Sequence, residues 1–221
     1  TYNWSNNTTG PQTQFTAPGS YSVVVTDNNG CTKTAFVNVV SNTIPPNVEA
    51  GPAGEITCFQ PTDTLNGAGS STGPTFSYLW TASAGGNILS GATTLNPIVN
   101  AAGTYTLVVT NSNNGCTASD ATTVTSSTQA PTATATGGAL TCVATSVLLT
   151  SSTNASQPSF NWVGPNGFSS NQQNPTTTST GNYTVTITDL ATGCTKTATA
   201  TVTENITAPT ASATGGVLTC V

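Results

Sequence analysis

Residues 130–143, APTATATGGALTCV, return seventy-eight positions later as residues 208–221, APTASATGGVLTCV, changed only at Thr134/Ser212 and Ala139/Val217. Self-similarity at a fixed period sets the architecture before any single residue is weighed. Each copy is one structural unit, and function lies in what repetition achieves rather than in a single active site.

The G-x-Y triplets Gly19-Ser20-Tyr21, Gly103-Thr104-Tyr105 and Gly181-Asn182-Tyr183, with the later G-C pairs, fix the phase. Two whole units, residues 45–128 and 129–207, lie between the C-terminal part of a unit at 1–44 and the N-terminal strands of another at 208–221. Both ends fall mid-unit, so a longer exported protein is expected around this sequence. The linkers at 41–47, 126–131 and 204–209 are short and carry proline, which fixes φ, so neighbouring units are expected in a semi-rigid row.

Tyr183-Thr184-Val185-Thr186-Ile187-Thr188 alternates apolar and polar at period two, and Ala198, Ala200 and Val202 alternate with threonine after Cys194. Such runs predict half-buried strands. Asp189 to Gly193 supplies turn chemistry between them, as do Asp27 to Gly30 and Asn111 to Gly115, so hairpins are predicted at all three places. Further strands are predicted around 140–149 and 160–163. No segment has apolar residues at helical spacing, and Gly, Pro and Thr disfavour one.

About seven short strands in roughly eighty residues predict an all-β fold. Tandem immunoglobulin-like antiparallel sandwiches are the economical solution. Trp4, Trp80 and Trp162 are then core residues of the third strand, and Tyr21, Tyr105 and Tyr183 match the tyrosine corner, their hydroxyls capping a loop.

Six cysteines alternate between an I-T-C or L-T-C context (Cys58, Cys142, Cys220) and a G-C-T context (Cys31, Cys116, Cys194). Two classes imply partners. One of each class within a unit gives Cys58 with Cys116 and Cys142 with Cys194, one disulfide per domain, leaving Cys31 and Cys220 for segments outside the sequence. In antibody domains the second cysteine follows the corner tyrosine by two residues; here it follows by ten or eleven. The bridge is therefore expected between the start of the second strand and the start of the last, near one end of the sandwich. It would contribute about 4 kcal/mol per domain on the chain-entropy model. Disulfides point to an oxidising, extracytoplasmic compartment. Zinc is disfavoured, since the chain has no CxxC and no His.

With 2 Lys+Arg against 7 Asp+Glu, Lys33 and Lys196 cannot form the basic patch that nucleic acid requires. Apolar runs are too short to span a bilayer. A glycosidase needs two carboxylates across a cleft, yet Asp189 and Glu204 are expected on the order of 30 Å apart. Glu49, Glu55, Asp63 and Asp120 have no counterparts in the other units and read as surface charge, with a bulge or sheet edge expected at Asp120. The one acid of the Asp27 turn is too few for calcium. Serine and threonine lack a general base. No cofactor, metal or catalytic residue is expected.

The pattern P-T-A-x-A-T-G-G-x-L-T-C, then Asn161 to Phe168 (NWVGPNGF), Gly181 to Asp189 (GNYTVTITD) and G-C-T resembles the repeats of giant Bacteroidota surface proteins of the gliding-motility adhesin type. Trp80-Thr81-Ala82-Ser83 departs from W-x-G-P-N-G, so a different loop is expected in the second unit. The resemblance implies type IX export and a place at the bacterial cell surface, in attachment, motility or extracellular filaments. Asp63-Thr64-Leu65 resembles the O-glycosylation acceptor motif of exported Bacteroidota proteins, which makes Thr64 an acceptor candidate.

The expected function is a non-enzymatic, disulfide-stabilised spacer in a very long adhesin or filament. Its expected partners are neighbouring repeats of the same chain, other copies in a filament, and surface polysaccharide or substratum. The alternative is a carbohydrate-binding array or an accessory region of a secreted hydrolase.

Overall fold

The computed structural model describes residues 1–220. It is built of strands. The first unit contributes β1 (Tyr2–Trp4), β2 (Gly19–Thr26) and β3 (Thr32–Val39), one antiparallel sheet. The second contributes β4 (Gly54–Thr57), β5 (Asp63–Thr64), β6 (Phe76–Ser83), β7 (Ile88–Ser90), β8 (Ile98–Val99), β9 (Gly103–Asn111) and β10 (Thr117–Ser127). They form two sheets, β4-β10-β9-β6 and β5-β8-β7.

The third unit contributes β11 (Thr134–Thr136), β12 (Ala139–Thr141), β13 (Val147–Leu148), β14 (Thr150–Ser152), β15 (Pro158–Val163), β16 (Ser169–Ser170), β17 (Thr176–Thr177), β18 (Gly181–Asp189) and β19 (Thr195–Asn205). The sheet β12-β19-β18-β15-β16 is accompanied by the pairs β11-β14 and β13-β17. These are tandem immunoglobulin-like sandwiches, each whole unit with its own core.

The period-two pattern builds those cores. Tyr183, Val185 and Ile187 of β18 are fully buried, as are Tyr105, Leu107 and Val109 of β9, while the intervening residues face out. Small Ala198 and Ala200 of β19 stand opposite Val185 and Tyr183, leaving depth for Trp162 from β15. The three hairpins form where turn chemistry predicts them, pairing β2 with β3, β9 with β10 and β18 with β19. In the first unit only one layer is present, and Val37 is 44% exposed where its counterpart Ala200 is 1% exposed.

β4 pairs with β10 in parallel, with Thr57 opposite Ser127, and β12 pairs with β19 in parallel, with Thr141 opposite Asn205. The first strand must cross from one sheet to the other to do this. At Gly137 the crossing backbone presses on the carbonyl of Thr201, where any Cβ would lie 2.1 Å from its oxygen.

Three expectations need correction. Asp120 makes neither a bulge nor an exposed edge: β10 keeps unbroken register with β9, and the half-buried carboxylate accepts the Ala50 N–H at 2.7 Å. Asp120→Ala should therefore orphan that amide and cost about 1–3 kcal/mol, read by thermal unfolding of the second unit. Residues 208–220 form no strand, because the strands they would pair with, counterparts of β14 and β19, are not in these 221 residues; Val221 lies outside the described residues. The cysteine pairing also differs and is treated below.

The loop after the tryptophan differs between units as expected. In the third unit Gly164-Pro165-Asn166-Gly167 makes a 3-10 turn over Pro165–Gly167, whereas β6 runs on to Ser83 and turns through Ala84 and Gly85 at positive φ.

Candidate functional site

The one disulfide among the described residues joins Cys58 to Cys194, with Cα atoms 5.1 Å apart, and so crosses from the second unit to the third. This overturns the expected pairs Cys58–Cys116 and Cys142–Cys194. The reason is the parallel pairing of β4 with β10. Cys58 follows Thr57 and lies level with the end of β10, whereas Cys116 precedes its start. Eleven residues of strand separate the two ends, about 35 Å at the usual rise, and a disulfide tolerates less than about 7 Å between Cα atoms. The same geometry separates Cys142 from Cys194. Cys31, Cys116, Cys142 and Cys220 pair with no other cysteine among the described residues.

The bond sits in a built junction. Cys58 Sγ lies 3.6 Å from the Thr128 carbonyl oxygen and Cys194 Sγ 3.5 Å from that of Ser127, so linker backbone flanks both sulfurs. Phe59 donates its N–H to the Thr192 carbonyl at 3.1 Å, and its ring covers Gly193. Gly193 has φ +75°, and a Cβ there would lie 2.3 Å from the Phe59 ring. Glycine is thus required both by the turn and by the neighbouring unit's aromatic side chain. Cys194 is buried by this arrangement. Closing a loop of sequence separation 136 is worth about 5 kcal/mol on the chain-entropy model, shared between two units. Phe59 and the linker carbonyls carried no sequence signal, because nothing in either unit alone tells which unit they meet.

The turn bearing Cys194 is held by Asp189. Its carboxylate accepts the N–H groups of Ser156, Gln157 and Ala191 at 3.0, 3.2 and 3.1 Å and the Ser156 hydroxyl at 3.1 Å. The Ser156 amide does most to hold the carboxyl below its ordinary value of 3.8; slight burial opposes it, and the Ala191 and Gln157 amides and the Ser156 hydroxyl reinforce it. A lowered folded value means the ionised form favours the fold, so this contribution is present above 3.8 and is lost as pH falls through the lower folded value. The Ser156 and Gln157 amide resonances should follow that titration with a midpoint below 3.8; a midpoint at or above it would contradict the assignment.

Trp80, Trp162, Tyr105 and Tyr183 sit inside the two sandwiches, whereas Trp4 and Tyr21, expected in a core, are only half-buried on the single sheet of the first unit. Trp80 and Trp162 are 2% and 0% exposed and donate their indole N–H to the carbonyls of Thr94 and Gln173; Trp4, half-buried, donates to Gly10. Tyr21, Tyr105 and Tyr183 each donate the hydroxyl to the carbonyl four residues earlier, on Ala17, Ala101 and Ser179, at 2.9, 2.6 and 2.8 Å. Each hydroxyl pins the loop before its strand.

The acids are dispersed among structural tasks. Asp189 and Glu204 stand at opposite ends of the β18–β19 hairpin. Glu55 and Asp63 line one shallow groove beside β4, but Glu55 accepts the Ser127 hydroxyl and Asp63 the Thr64 N–H. Asp27 accepts the N–H groups of Asn29 and Cys31 within its own turn. Among the described residues no three His, Cys, Asp or Glu side chains gather, and no helix is long and apolar enough to cross a membrane. Thr64 is exposed on β5.

In shape the chain is similar to Drosophila OTK extracellular domains 3–5, at 12% identity and TM-score 0.40, covering 85% of this chain and 71% of that one. It is similar also to titin domains A168–A170, at 11% identity and TM-score 0.40, covering 85% and 75%. Against Sidekick-1 immunoglobulin domains 1–5 it is 14% identical with TM-score 0.32, covering 92% of this chain and 52% of that one. No protein-family model matches the sequence, and no curated protein does.

Proposed function

We propose that this chain is a non-enzymatic spacer from a long exported surface protein, in which sandwich units at 45–128 and 129–207 are clasped in series. The observation that carries the reading is the Cys58–Cys194 bond, which spans a junction and spends its strength on fixing one unit to the next. A disulfide of this kind suits an extracytoplasmic site. The resemblance of the repeats to the Bacteroidota gliding-motility adhesin type directs the proposal to the bacterial surface, after type IX export. There, length and multivalency serve attachment, motility or filament formation. Contacts are with neighbouring repeats, with other copies in a filament, and with polysaccharide or substratum beyond these units. Thr64 is the proposed O-glycan acceptor.

Burial of the repeated rings supports a spacer over a carbohydrate-binding array. A sugar platform needs exposed aromatic faces on successive units, and Trp80, Trp162, Tyr105 and Tyr183 are at most 2% exposed. Immunogold electron microscopy of intact cells, with antibody raised against this chain, should label thin linear rows outside the cell. Label confined to the cell interior, or to compact particles, would refute the proposal.

A further inference from the structure

Cys142 is placed in the third unit as Cys58 is in the second. Each follows the strand that pairs in parallel with the last strand of its unit, β12 with β19 and β4 with β10. Cys142 Sγ lies 3.7 Å from the carbonyl of Ile206, as Cys58 Sγ lies 3.6 Å from that of Thr128, and those two linker residues are seventy-eight positions apart, one repeat. Val143 holds the place of Phe59 and is 94% exposed, free to cover something.

Cys116, conversely, is placed in the second unit as Cys194 is in the third, immediately before the last strand and after a glycine at positive φ. Gly115 has φ +71° with open space where Phe59 covers Gly193. The preceding linker already reaches this turn: Asn114 donates its side-chain N–H to Asn42 Oδ1 at 3.2 Å and to the Ile44 carbonyl at 3.0 Å. By strand register Asn42 holds the place of Ser127, whose carbonyl touches Cys194. The linker position that meets the Cys194 turn at the second junction therefore meets the Cys116 turn at the first.

We propose that Cys142 and Cys116 are bridging sites to other units of the array, Cys142 to the G-C-T cysteine of the unit that follows and Cys116 to the I-T-C or L-T-C cysteine of the unit that precedes. Cys31 and Cys220 fall into the same scheme. Each bond forms by thiol–disulfide exchange with a disulfide-bearing oxidant of the export compartment. One cysteine thiolate attacks the oxidant's disulfide, the second displaces it, and the two electrons and two protons leave on the oxidant as a dithiol.

The connectivity has a mechanical result. Entering the second unit, the covalent path runs along β4 to Cys58, crosses to Cys194 and continues down β19 into the next linker. A second path runs from Cys116 along β10, through the linker and β12 to Cys142. Each whole unit thus carries both paths side by side, joined by the parallel ladders β4–β10 and β12–β19, while its remaining strands hang in closed loops off the line of tension. The array is a two-stranded covalent cable.

This rests on the spacer reading only in requiring an array. The protein isolated from its own cell surface is alkylated without reductant, digested with pepsin at acid pH to suppress exchange, and mapped by mass spectrometry. Cys142 should appear linked to a G-C-T peptide of another unit and Cys116 linked to an I-T-C or L-T-C peptide. Alkylated Cys116 and Cys142, or Cys58–Cys116 and Cys142–Cys194 pairs, would overturn the proposal. Free thiols there beside microscopic rows would refute the cable and leave the spacer standing, whereas mapped bonds without surface rows would do the reverse.

Discussion

Held by its two ends and pulled until every unit unfolds, the oxidised 221-residue chain should extend to a contour roughly 450–490 Å shorter than the reduced chain, at ~3.3–3.6 Å per residue. The difference is the loop of sequence separation 136 that Cys58–Cys194 closes and shields from load. Cys58→Ser should release the same length without any reductant, which ties the effect to this bond and excludes a general effect of reduction. Optical-tweezer traces would show it directly. Equal contours for oxidised and reduced chains would mean that no bond spans the junction.

Trp162→Ala should cost about 3–5 kcal/mol. The ring is 0% exposed at the centre of the third unit's core, packed with Tyr183, Val185, Ile187 and Leu149, and its N–H holds the Gln173 carbonyl. Truncation leaves a large cavity and removes one of the two hydrogen bonds to the Gln173 carbonyl, which keeps that from the Ser151 hydroxyl, in a unit whose whole margin is of order 5–15 kcal/mol. A fall in midpoint on the order of 20 °C follows for a domain of this size. The second unit has a separate core around Trp80, so calorimetry of the variant should show one transition displaced and the other nearly in place. Trp4→Ala should cost much less, because Trp4 is half-buried on a single sheet. Two transitions displaced by the same amount would contradict separate cores.

The local structure was legible in the residues because it depends on short-range chemistry. Alternation in Tyr183 to Ile187 marks a strand with one buried face, Asp189 and Gly193 mark the turn that ends it, and Tyr105 and Tyr183 four residues past a loop carbonyl mark the corner. The cysteine partners were not legible. Both classes occur in each whole unit, so pairing within a unit and pairing with the next satisfy the same alternation. What decides between them is the parallel docking of β4 on β10, a tertiary fact that sends Cys58 to the far pole from Cys116. Asp120 failed for a related reason: an acid at an inward position reads as misplaced until the segment leading into β4, which supplies the Ala50 N–H, is docked beside it.

The central claim is that the bond belongs to the junction and not to either unit. In the oxidised double variant Cys116→Ser, Cys142→Ser, alkylation under denaturing conditions without reductant should leave Cys58 and Cys194 unlabelled, since each still has its partner. Labelling of both would mean that their partners had been Cys116 and Cys142, and the units would then be stapled singly and strung on flexible linkers.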